Sequence, residues 1–295
     1  MIYPDCGKEL LRLLPKVLRA RDFRLYLEGG KRLVDLWRWG GRAVLGHKPP
    51  KVLADLKNAA ERGLFTPLPH PLERRVINAL GNFFPNRAVR LYMDERSRER
   101  ALAASGFIAA HAAPPCDPAF PCDGGAYIGA KSGVSLWRPF LAAQENPDRE
   151  QCDIMLPVLP SPTAPAALIL NKNIEDLFPG GDIIPPVLLA PAARALYNLA
   201  AALKHFPANR NWPEYPKIRK ALSSGIWRRQ GIYITAKPDT GTEEYETIFR
   251  RFLEGGFLIP PSPCEPIILP LAMSAGEEAK LAELLGGAHK SAGSE

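Results

Sequence analysis

Arg90-Leu91-Tyr92-Met93-Asp94-Glu95-Arg96-Ser97-Arg98-Glu99-Arg100-Ala101-Leu102-Ala103-Ala104 is the stretch on which the reading of this chain turns. Leu91, Tyr92 and Met93 predict a short buried strand. Asp94 is a good helix N-cap, and Glu95 adds an acid to the first turn. From Ser97 onward the residues favour helix. A strand, a turn and a helix start form the usual place for an α/β protein to hold a phosphate. Such a site needs backbone N–H groups that a phosphate can approach, so Gly, Ser and Thr suit its turn. Here the turn carries Asp94, Glu95 and Arg96. Two carboxylates repel a phosphate, and no glycine is present. The scaffold fits an anion site and the side chains oppose one.

The surrounding sequence is that of a globular protein. Its 295 residues suffice for one large domain or two smaller ones, and its hydrophobic content of 46% is ordinary. The formal net charge is +7. The basic residues are scattered, with no basic stripe interleaved with aromatics, so no nucleic-acid partner is expected. There are 31 prolines, about twice the usual share, many of them between Pro114 and Pro191. That middle region is expected to be rich in loops. Cys6, Cys116, Cys122, Cys152 and Cys264 are odd in number and match no zinc spacing. Cys116 and Cys122 flank a loop with Asp117 and Asp123, but no histidine pair completes a metal set. The N-terminus has no apolar signal core. The apolar run Pro186 to Leu203 is interrupted by Pro191 and Arg194 and reads as a buried helix, not a membrane span. Reduced thiols, a cytoplasmic location and no membrane partner are the expectations.

Taken in order, Lys8 to Ala20 has helical apolar spacing, with Pro15 bending or splitting it. Phe23 to Leu27 and Arg32 to Trp37 alternate as strands around Gly29-Gly30, which predicts a hairpin. Helices come next at Val52 to Leu56 and beyond, after Pro49-Pro50, and at Pro71 to Phe84. Near the end, Glu243 to Leu253 predicts a helix closed by Gly255-Gly256. Phe257 to Ile259 predicts a strand, and Ala275 to Leu285 a final helix.

Several motifs carry a family resemblance. They are Gly30-Lys31-Arg32-Leu33-Val34-Asp35, Trp39-Gly40, Leu45-Gly46-His47 with prolines after it, and Pro69-His70-Pro71-Leu72-Glu73. Near the C-terminus stands Phe252-Leu253-Glu254-Gly255-Gly256-Phe257-Leu258-Ile259-Pro260-Pro261-Ser262-Pro263-Cys264-Glu265-Pro266. In this order they resemble class III aminotransferases, fold type I enzymes that use pyridoxal phosphate. Within that class the chain is most similar to glutamate-1-semialdehyde aminomutase. The matching segments cover about half the chain.

The resemblance implies an α/β fold: a fold type I transferase with a mostly parallel sheet in a reduced large domain and an α+β small domain built from both chain ends. It implies divisions at 1–75, 76–206 and 207–295. It also implies a homodimer, for which apolar Leu25, Leu27, Trp37 and Trp39 are candidates. Asp94, Glu95 and Arg96, with Ser97 after them, stand where the family binds the cofactor phosphate. Phe107, His111 and Tyr127 are candidates for the aromatic that stacks on the ring. Asn171, after the strand Pro165 to Leu170, stands where an Asp pairs with the ring nitrogen. Asn cannot supply that negative charge. Lys172 is the nearby lysine that could form a Schiff base, and Ala190-Pro191 stands at the family's Asn-Pro motif. Arg38 falls near a substrate-contacting serine, which makes it a candidate carboxylate binder. His47 resembles a structural histidine that anchors a turn, and Trp37 and Trp39 are packing residues or a ligand wall. The implied reading is a transferase-like protein without bound cofactor, with a binding or assembly role, for which a full-length aminotransferase is one possible partner. The alternative is a working pyridoxal-phosphate enzyme with a rearranged site.

Overall fold

The computed structural model describes residues 5–106, 117–120, 133–141, 152–206, 213–223, 226–236 and 241–287. In chain order these form α1 (Asp5–Arg12), β1 (Val17–Arg21), β2 (Arg24–Leu27), β3 (Arg32–Asp35), α2 (Val52–Glu61), α3 (Pro71–Gly81), β4 (Arg87–Tyr92) and α4 (Glu95–Ala104). Then come β5 (Val134–Trp137), β6 (Ile154–Pro157), β7 (Ala166–Asn171), α5 (Pro186–Lys204), α6 (Pro216–Leu222), β8 (Trp227–Gln230) and β9 (Tyr233–Ala236). The chain closes with α7 (Thr242–Glu254), β10 (Phe257–Leu258), β11 (Ile267–Ile268) and α8 (Ala275–Gly286). Two compact units result. One comprises residues 1–47, 140–142 and 207–295, and the other residues 48–139 and 143–206. Residues 48–75, expected with the N-terminal segment, belong to the second unit, because α2 and α3 both lie against α5.

In the first unit, β2 and β3 form the expected hairpin, with Arg24 opposite Val34 and Tyr26 opposite Arg32. Gly29 and Gly30 turn the chain at φ 77° and 79°, a region closed to most side chains. The helix expected over Lys8 to Ala20 ends at Arg12, and Val17–Arg21 pairs antiparallel with β2 instead. Pro15 breaks the helix, and cross-strand pairing decides the conformation of the residues after it. Val17 and Leu18, which lent the segment its helical spacing, stand exposed. Leu25 and Leu27 are buried within their own unit, so neither offers a surface to a second copy.

Fully buried Leu36 ties the two sheets of this unit together. Its N–H donates to Leu258 O at 2.8 Å, and its carbonyl accepts from the Ile268 N–H at 2.7 Å. The first sheet runs β1-β2-β3-β10 and the second β11-β9-β8. Amphipathic α7 presents Tyr245, Ile248, Phe249 and Phe252 inward, ends at Gly255-Gly256 and feeds β10. α8 begins with a capping box between Ser274 and Glu277.

The second unit is built on a sheet of order β4-β7-β6-β5. The sheet expected to be mostly parallel is mixed: β5 and β6 are parallel, while β7 runs antiparallel to both β6 and β4. Residues 158–165 are too few for a crossover helix, which a parallel return needs. Tyr92, Leu156, Leu168 and Leu170 pack with Ala101 and Leu102 of α4 on one face. Ala167 and Ile169, pointing the other way, are also fully buried, so β7 is covered on both sides. α5 buries Leu189, Ala193, Leu196 and Leu199 among others and keeps Pro191 within its length. By length and composition α5 could cross a membrane, and half of its apolar window is buried within the protein.

Gly46 shows how closely the first unit is built. It sits at φ 89°, and an added Cβ would lie 2.9 Å from Asp22 O. Gly46→Ala is expected to destabilise the protein by more than about 1 kcal/mol, the cost of forcing an L side chain into the left-handed region. Urea unfolding of the two proteins checks it.

Candidate functional site

The strand, turn and helix read from Arg90 to Ala104 form as expected: β4 ends at Tyr92, Asp94 takes an extended conformation, and α4 begins at Glu95. Asp94 Oδ1 accepts the Ser97 N–H at 2.8 Å. That hydrogen bond is the main cause of the lowered carboxyl pKa of Asp94. The Ser97 hydroxyl accepts from Arg100 at 3.0 Å. Just ahead, the Met93 N–H donates to Asp182 Oδ2 at 2.9 Å, and the Asp182 N–H donates to Leu91 O at 2.8 Å. The Tyr92 hydroxyl donates to Pro179 O at 3.4 Å. Gly181 lies so close to β4 that a Cβ would meet Leu91 O at 2.6 Å. The segment from Pro179 to Asp182 is therefore laid directly along the end of this strand.

The chemistry of this arrangement is inward. A phosphate at a helix start is bound by first-turn N–H groups. The Ser97 N–H of that first turn already donates to Asp94, the Met93 N–H just before the cap donates to Asp182, and Asp94, Glu95 and Asp182 surround the helix start with negative charge. The donor set does not fit a cofactor phosphate. Asp182 lay outside the sequence-derived candidates, because a carboxylate after Gly180-Gly181 carries no periodic signal.

Asn171 and Lys172 lie elsewhere on the same sheet. In the antiparallel β4–β7 pair, Tyr92 stands opposite Ala166, while Asn171 stands opposite Arg87. Five steps along β4 separate the two ends, about 17 Å. The Asn171 N–H donates to Asp153 O at 2.8 Å. Lys172 is exposed and opens a short 3-10 turn, Lys172–Leu177. Asp94 to Ser97 and Asn171-Lys172 are not brought together. Phe107, His111, Tyr127, Cys116, Cys122 and Asp123 lie outside the described residues. Among the described residues, no cluster of three or more His, Cys, Asp or Glu could hold a metal ion.

The first unit holds a buried polar cluster around Asp35. Asp35, at the end of β3, accepts the N–H groups of Trp37 and Arg38 through Oδ1, both at 2.9 Å. Its Oδ2 contacts His47 Nε2 at 2.8 Å. Arg38 and Trp39 both sit at φ 48°, a strained backbone for non-glycine residues. Arg38 is 2% exposed and turns into the protein, donating through Nη1 to Val44 O at 2.9 Å. Burial lowers its pKa to about 10, against the opposing pull of Asp35. It therefore anchors the turn instead of presenting itself to a substrate carboxylate. The Trp37 indole N–H donates to buried Glu265 at 2.7 Å, while Trp39 is exposed. Asp35 and Glu265 were legible only as members of the family motifs; their joint role required the folded chain.

No protein-family model matches the sequence. An uncharacterized protein of Treponema pallidum (strain Nichols) is 28% identical over an alignment spanning 89% of this chain and 91% of its own length. Among solved structures, ornithine δ-aminotransferase of Plasmodium falciparum superposes with a TM-score of 0.66 at 14% identity, covering 96% of this chain and 97% of its own. The fold is that of the pyridoxal-phosphate-dependent aminotransferases. Acetylornithine aminotransferase of Elizabethkingia anophelis agrees, with a TM-score of 0.61, 14% identity and 92% coverage of both chains. At such low identity the likeness establishes the aminotransferase fold alone.

The cap at Asp94 yields a signed pH prediction. Its folded pKa lies below the ordinary value near 3.9. The cap's stabilisation is thus complete above about pH 4 and is lost as pH falls through the lower folded value. Asp94→Ala should cost about 0.5–2 kcal/mol at neutral pH. The gap between variant and parent should close in strong acid, as read by denaturant unfolding across pH.

Proposed function

We propose that this chain is a relative of the class III aminotransferases that has lost pyridoxal-phosphate catalysis and serves a binding or assembly role. The observation that carries the reading is the occupation of the Met93 and Ser97 N–H groups by Asp182 and Asp94. A phosphate at this helix start would have to displace the Asp94 carboxylate from the Ser97 N–H and lie beside the Asp182 carboxylate. The sheet register supports the reading further, since Asn171 and Lys172 stand at the far end of β7 from that turn. An exposed lysine also lacks the desolvation that activates an amine for Schiff-base chemistry.

The assembly expected in this reading is a homodimer. Leu53, Phe65 and Leu68 are large apolar residues that remain 42%, 59% and 60% exposed. They replace Leu25 and Leu27 as candidates for the surface between copies.

Borohydride reduction of the purified protein, with intact mass measured afterwards, should show no added cofactor mass. Cofactor mass on Lys172 or any other lysine would overturn the reading. Joint replacement Asp94→Ser, Glu95→Gly and Arg96→Thr should also leave pyridoxal phosphate unbound in a tryptophan-quenching titration. Saturable micromolar binding by that variant alone would show a cofactor cleft blocked only by the acids. Light scattering should give twice the chain mass of 32.4 kDa.

A further inference from the structure

Within the second unit, α2, α3 and α5 line an open cleft of about 250 Å³. Each helix brings an arginine to it: Arg62 directly after α2, Arg75 from α3 and Arg194 from α5. Asp55 also lines it and accepts from Arg194 Nε at 2.8 Å. Asp55 and Arg62 are seven residues apart, two helical turns, so they share one face of α2. Arg194 and Tyr197, three apart, share one face of α5. Ala193 beside them is buried and small, which leaves room above the helix.

The charges around this cavity do not balance. Three guanidinium groups face one carboxylate, an excess of two positive charges. Asp55 engages only Nε of Arg194, and a guanidinium has five N–H donors, so most of that donor fork remains. Arg62 and Arg75 are exposed and have no side-chain hydrogen bond or ion pair among the described residues. Arginine forks match the paired oxygens of carboxylates and phosphates. The Tyr197 ring adds an apolar wall.

We propose that this cavity is a binding site for a compact organic dianion, a phosphomonoester or a small dicarboxylate. The two negative charges balance the two excess cations, and an organic group lies against Tyr197. The volume admits a phosphate with a few attached carbon atoms. The site is distinct from the turn at Asp94, and its occupancy does not depend on whether the chain binds a cofactor.

The test is calorimetric titration of the full chain with phenyl phosphate, inorganic phosphate and succinate, each at the same low ionic strength because exposed arginines are screened by salt. Phenyl phosphate or succinate should saturate one site per chain. The double variant Arg62→Gln, Arg75→Gln should weaken that binding at least about tenfold, as loss of charge-assisted hydrogen bonds requires. Arg74→Gln lies on the same helix but outside the cavity, and should leave affinity within about twofold. Tyr197→Ala should weaken phenyl phosphate while sparing inorganic phosphate. Thermal melts confirm that each variant is folded. A preference for phenyl phosphate over succinate assigns a phosphomonoester, and the reverse assigns a dicarboxylate. Absence of saturation, affinity kept by the double variant, or equal loss in Arg74→Gln would overturn the proposal.

Discussion

Backbone N–H groups at a strand end and a helix start must find acceptors, and here two aspartates supply them. Asp182 takes the Met93 N–H and Asp94 takes that of Ser97. The first contact fastens the segment from Pro179 to Asp182 along the end of β4, where Gly181 allows the backbones to touch. The second starts α4, which then lays Ala101 and Leu102 over the sheet. One junction thus joins strand, helix and covering segment. The Ser97 N–H is also one an anion at the helix start would use, so there stability and phosphate binding compete for the same atom.

A parallel economy operates in the first unit. A single buried carboxylate, Asp35, accepts two backbone N–H groups and contacts His47. Those bonds hold Arg38 and Trp39 in left-handed backbone that neither side chain favours. Arg38 is buried by the same turn, and its charge is met by Asp35 and the Val44 carbonyl. Its guanidinium is a structural donor because the turn consumes it. The arginines around α2, α3 and α5 are the opposite case. Among the described residues only Arg194 of these has a carboxylate partner, and the cavity they line keeps its excess charge.

Sheet direction decides how the candidate residues are grouped. A strand read alone has no neighbour, and Asn171 looks equally close to Asp94 in either orientation. The antiparallel pairing of β7 with β4 places Asn171 against Arg87 and separates it from the turn. The short return from β6 to β7 forces that pairing, and the lengths of intervening segments alone held a hint of it.

By itself the sequence determined what local chemistry determines. The hairpin at Gly29-Gly30, the cap at Asp94, the helix stop at Gly255-Gly256 and the long apolar helix at Pro186 all formed where their residues placed them. Each depends on backbone conformations or hydrogen bonds within a few residues, so the signal is carried by neighbours in the chain. Tertiary structure decided the rest. Val17–Arg21 became a strand because β2 was there to pair with it. Asp182 reached Met93, Glu265 reached Trp37 and Asp55 reached Arg194 across long stretches of chain. Whether a carboxylate caps, pairs or stays open depends on which donor the fold delivers to it, and the spacing of residues along the chain does not encode that.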